Sequence, residues 1–195
     1  MPQTRLTTLM LLSGLLMTGL LLPELAAAAR YKLDPDHTFP SLEFSHMGLS
    51  VWRGKFNRTS GTFEYDKAAG KGTVNVSVET ASIDFGLDSM QEYAIKPDWL
   101  DVAKHPVMTY AGNLVFQGGR PVTVDGQLTL RGVTRPLQLT INSFSCIDHP
   151  FYKKEVCGAD AWGVLNRADF GMTQFAEGEA GKVRLLIQVE AIRED

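Results

Sequence analysis

From Val122 to Phe144 the chain alternates twice between apolar and polar residues. Val122, Val124, Leu128 and Leu130 interleave with Thr123, Asp125, Gln127 and Thr129. After a short connection, Leu137, Leu139 and Ile141 interleave with Gln138, Thr140 and Asn142. A period of two with one apolar face predicts two strands of a sheet that is covered on one side and wet on the other. Gly132 supplies the freedom for the reversal, and Pro136 stands where the second strand begins, a position a proline tolerates.

The same reading organises the rest of the chain. Tyr31 to Leu33 is a short strand ended by Asp34-Pro35-Asp36. A second strand alternates over Leu42 and Phe44, and Trp52 to Tyr65 resumes it after a break at Met47-Gly48-Leu49. Ser60-Gly61 interrupts that run, and glycine inside a strand marks a bulge or bend that helps a sheet curl. Val74, Val76 and Val78 form a clean strand, as do Met108, Tyr110, Leu114 and Phe116. The last strand sets Val183, Leu185, Ile187, Val189 and Ala191 on one side. From Asp84 to Pro106, DFGLDSMQEYAIKPDWLDVAKHP lacks alternation. It predicts one short helix before Pro97 and a helical turn through Trp99 and Leu100, serving as a lid or as a plain connection. The count is eight or nine strands in one all-β domain, with no βαβ alternation and no internal repeat. Sandwich and barrel both fit such a list.

GQLTLRGVTRPLQL, from Gly126 to Leu139, resembles the signature hairpin of the YceI-like family of polyisoprenoid-binding proteins. So do YKLDPDHTFPSLEFSHMGLSVWRGKF at the start, DWLDVAKHPVMTY in the middle and LNRADFGM near the end. The resemblance implies a lipocalin-like antiparallel β-barrel of about eight strands with one short helical insertion, and an elongated apolar ligand. In one place the chain departs from the family. Met90-Gln91-Glu92-Tyr93-Ala94 stands where many relatives carry an Arg-Asp-x-His-Leu run, so no role of that basic run carries over.

The first residues read as a leader. Arg5 is followed by an apolar run from Leu9 to Leu22, then Pro23 and the small residues Ala26 to Ala29. This is the grammar of a secretory signal peptide. The run of about 14 residues is short for a span of about 20. The expected division is 1–29 as signal peptide and 30–195 as barrel domain, with a periplasmic or secreted location after cleavage. Cys146 and Cys157 both follow the leader, and paired exported thiols usually form a disulfide. Net charge is −3 and well mixed, which gives no basic face for nucleic acid and only a transient reason to meet a membrane.

Catalytic frames are missing: no G-x-S-x-G, H-E-x-x-H, Walker loop or G-x-G-x-x-G occurs. His37, His46, His105 and His149 lie in separate segments, and structural or surface roles are expected of them rather than metal ligation. The sequence therefore reads as a binding module, not an enzyme, with no cofactor apart from a bound isoprenoid lipid or prenylated quinone. The tail is expected against Leu42, Phe44, Trp99, Leu100, Met108, Tyr110, Leu114, Leu128, Leu139, Ile141, Leu185 and Ile187. Arg53, Arg131 and Arg135, at turns and strand ends, are expected to meet a diphosphate at the rim. The rivals are a haem- or quinone-linked redox partner, an enzyme on isoprenoid substrates, and a stress-related structural barrel filled by its own side chains. An exposed edge strand would support a homodimer, and nothing in the sequence selects one.

Overall fold

The computed structural model describes residues 28–195. The expected leader lies outside the described residues except for Ala28 and Ala29. In chain order the elements are β1 (Ala29–Leu33), β2 (Phe39–His46), β3 (Ser50–Phe56), β4 (Thr59–Asp66), β5 (Lys71–Glu79), β6 (Ile83–Asp84) and α1 (Asp88–Ala94). There follow β7 (Val107–Gln117), β8 (Arg120–Leu130), β9 (Val133–Asp148), β10 (Glu155–Asn166) and β11 (Lys182–Arg193).

The twice-alternating stretch is the β8–β9 hairpin, with Leu130 opposite Val133 and Val124 opposite Leu139. Val124, Leu128, Leu130, Leu137 and Leu139 are buried, as their spacing requires. The two-residue turn puts both Arg131 (φ 53°) and Gly132 (φ 73°) in the left-handed region. This is the primed geometry that matches the twist of the strands it joins. Glycine alone does not carry the reversal: Arg131 shares it.

The sheet closes because β1 pairs on one side with β4 and on the other with β11. Eleven strand segments make eight staves, since three staves are interrupted. β1 and β2 both lie along β11, with Leu33 opposite Ala191 and Phe39 opposite Gln188. Along β11 the excursion Asp34–Thr38 between them spans Val189 and Glu190. β3 and β4 form another stave, broken at Asn57-Arg58 and not at Ser60-Gly61. Gly61 stays paired with Val76, and it serves close approach: a Cβ there would strike the Asn75 carbonyl oxygen and lie 3.0 Å from Leu33 Cδ1. β5 and β6 form the third. On β3 the stretch Ser50–Gly54 is left as an unpaired edge, because β6 meets β3 only at Lys55 and Phe56.

The two ends of the barrel are built differently. At one end Tyr31, Phe63, Tyr65, Phe116 and Phe144 pack ring against ring, with centroids 5.3–6.1 Å apart. Cys146 and Cys157, directly opposed on β9 and β10, form a disulfide with S–S 2.02 Å just below the β9–β10 turn. At the other end lie the β2–β3 and β8–β9 turns, the long β10–β11 connection and α1.

Candidate functional site

Inward positions of nearly every stave leave an almost wholly apolar cavity of about 260 Å³ inside the barrel. All twelve side chains assigned to the tail from the sequence line it. Phe56, Ile83, Phe85, Met90, Phe144 and Arg167 line it as well, and sequence reasoning passed them over. Phe85 and Met90 sit in the non-alternating insertion, where periodicity carries no inward or outward signal. Arg167 comes one residue after β10 ends, in the LNRADFGM stretch that marked the family resemblance.

Tyr110 shows how the wall handles a polar group in an apolar space. Its single O–H lies within hydrogen-bond reach of two carbonyls, Val124 O (3.2 Å) and Leu137 O (3.0 Å), and burial pushes its pKa well above the usual phenol range. The ring lies over Gly126, where a Cβ would collide with it. Neutral and satisfied, Tyr110 behaves as wall.

The insertion between β6 and β7 covers one end of this space. α1 is only seven residues long, too short to be stable without packing. Ala94 is buried, and Tyr93 packs against Trp99 with ring centroids 5.5 Å apart. Other connections hold the segment down. Arg131 Nη1 donates to Pro97 O at 2.7 Å and to Trp99 O. Gln174 Nε2 donates to Asp98 Oδ2 at 3.0 Å. The Arg167 guanidinium stacks 4.8 Å over the Trp99 ring.

The three arginines expected at a rim are thus dispersed. Arg131 fastens the covering segment. Arg53 is on the outer wall, its Nε 2.8 Å from Glu43 Oε1 across the β2–β3 pair. Arg135 is exposed, and among the described residues its side chain bonds only to Thr134 O, at 3.3 Å. None of them lines the cavity.

Outside the barrel, the β1–β2 excursion gathers Asp34, His37 and Glu190, whose ligand atoms lie within 4.8 Å of one another. Asp34 is already engaged. It accepts from His37 Nδ1 (2.8 Å), the Asp36 amide (3.0 Å) and the Tyr152 hydroxyl (3.0 Å). Burial alone would raise the Asp34 carboxyl, but these bonds outweigh it and hold the pKa below the usual value, while the bond to Asp34 raises that of His37. The arrangement works as a clasp between the excursion and the β9–β10 turn.

Comparison with known proteins places the chain. The family model described as the YceI-like domain matches residues 31–191. A UPF0312 protein of Pectobacterium atrosepticum is 33% identical over 172 residues, covering 87% of this chain and 89% of its own length. Protein YceI of Salmonella arizonae is 32% identical, with 87% and 90% covered. Among solved structures, Burkholderia cenocepacia BcnA has TM-score 0.65 at 18% identity, covering 81% of this chain and 98% of its own. A polyisoprenoid binding domain from Saccharophagus degradans has TM-score 0.57 at 15% identity, covering 84% and 98%. With the closed eight-stave barrel and its helical insertion, these matches establish that the chain belongs to the YceI-like family.

Proposed function

We propose that this protein is an exported carrier that holds one polyisoprenoid-type lipid, a polyprenyl diphosphate or a prenylated quinone, with its tail in the barrel. The observation that carries this reading is the apolar cavity, enclosed by staves on all sides and covered at one end by a separately fastened segment. Affinity would come from taking hydrocarbon out of water, about 0.8 kcal/mol per buried CH₂, less the cost of ordering the chain. The described disulfide accords with an oxidising compartment.

Size limits what fits. An apolar cavity of about 150 Å³ takes up benzene, so about 260 Å³ holds roughly ten carbons, or two isoprene units, by proportion. An eight-unit chain requires the covering segment to lift. Met47 and Leu49 on the β2–β3 turn and Phe175 on the β10–β11 connection, 81%, 82% and 78% exposed, lie at this same end and would touch a bilayer briefly during exchange.

The same volume supports the rival of a structural barrel that carries nothing. Organic extraction and mass spectrometry of protein purified from its own host separate the two. A stoichiometric isoprenoid is expected, and repeated recovery of an empty barrel from lipid-replete cells would leave the rival standing. Visible absorption of the same sample reports any haem.

A further inference from the structure

Among the described residues that line the cavity one is charged, and it lies under the covering segment. Arg167 is 6% exposed and lines the cavity. Its guanidinium donates to three carbonyls of the β10–β11 connection: Met172 O (2.9 Å), Phe175 O (2.7 Å) and, from Nε, Ala180 O (3.4 Å). No carboxylate lies within 4 Å of it among the described residues. Carbonyl dipoles satisfy hydrogen bonds but leave the charge unneutralised, and a buried charge without a counterion is costly. Against its face lies Trp99, whose Nε1 is shut off from solvent and has no acceptor. A buried indole N–H normally finds a partner. The other such atom, Thr59 Oγ1, also lines the cavity.

We infer that Trp99 Nε1 and Arg167 form an internal head-group site. It takes a compact oxygen acceptor bearing at most one negative charge, a carboxylate or a quinone-type carbonyl, on the end of an isoprenoid tail. The inference rests on the carrier reading and narrows it. One acceptor oxygen completes the indole N–H, and a single negative charge offsets one guanidinium. A diphosphate would bring surplus charge and its hydration into a space that offers one cation. The polar end of the ligand is then held beneath the covering segment, and the rim arginines play no part in recognition.

The test compares ligands that share a two-unit tail, the length the cavity holds, and differ in head: geranic acid, a geranylated benzoquinone, geranyl diphosphate and the hydrocarbon myrcene, each titrated into the delipidated protein. The acid, the quinone or both should bind at least tenfold more tightly than myrcene and more tightly than the diphosphate. Which of the two is tighter identifies the head. Trp99→Phe keeps an aromatic ring against Arg167 and removes the donor along with the five-membered half of the indole. It should lower the affinity of the favoured head three- to tenfold more than that of myrcene, which registers the lost ring area alone. In parallel, the indole N–H resonance that Trp99→Phe removes should move downfield with the favoured head and stay in place with myrcene. An equal effect of Trp99→Phe on the favoured head and on myrcene, or a diphosphate that binds tightest, overturns the internal site while leaving carriage intact. Failure of all four ligands, myrcene included, overturns carriage itself.

Discussion

The two ends of the barrel use the same sheet for opposite purposes. At the aromatic end, five rings, a disulfide and short turns fill the interior, and Tyr31 is tied to Glu155 by a 2.8 Å hydrogen bond. Burial and that bond push the Tyr31 hydroxyl up to about 12, so it remains a neutral donor. At the other end a seven-residue helix and a turn are held by a few polar contacts from distant connections. Rings packed against rings resist local opening, whereas a segment fastened by few contacts opens at lower free energy. Stability and exchange are thereby separated in space.

The sharpest break of this contrast is Tyr65→Ala, at a ring of the aromatic cluster that does not line the cavity. Removing a ring buried to 8% exposure should cost about 3–5 kcal/mol, read as a lower denaturant midpoint. Ligand affinity per folded molecule should change little, and a loss of binding equal to the loss of stability would show that the ends are not independent. Next comes Cys146→Ala with Cys157→Ala. The bridge closes a loop with sequence separation 11, so its removal should destabilise by roughly 3 kcal/mol, again without faster ligand release.

Arg131→Ala probes the other end. Losing the bonds to Pro97 O and Trp99 O should raise the ligand off-rate about tenfold, or about 1.4 kcal/mol. Stopped-flow displacement measures it, and global stability should fall by less than about 1 kcal/mol. An unchanged off-rate would show that the segment is not the gate.

The smallest effect is the pH response of the Asp34–His37 clasp. His37 is raised above 6.5, so its contribution is complete below that pH and is lost as pH rises through the raised pKa. Asp34 is lowered below 3.8, so its contribution is complete above that value and is lost as pH falls through the lowered pKa. Urea midpoints should therefore form a plateau between these limits. Asp34→Asn should flatten the shoulders at both ends, and His37→Gln should flatten the upper one.

Much of this was legible in the residues. Alternation in Val122–Phe144 and in Val183–Ala191 predicted which side chains face inward, because a strand's period is fixed by its backbone. The part of the cavity lining that lies on strands followed for the same reason. The rim arginines did not, because an arginine at a turn is free in sequence to face solvent, a neighbouring carboxylate or a distant carbonyl. Arg131 takes the third course and Arg53 the second.

The sequence by itself determined the strands, their inward faces, the short helix before Pro97 and the pairing of Cys146 with Cys157. Each depends on residues close together in the chain or on a small count of partners. Only the tertiary structure decided that β1 meets both β4 and β11, so that the sheet closes. It alone brought Trp99 from one connection against Arg167 from another and set both in the lining of the cavity. Such contacts join residues separated by most of the fold, and no local period encodes them.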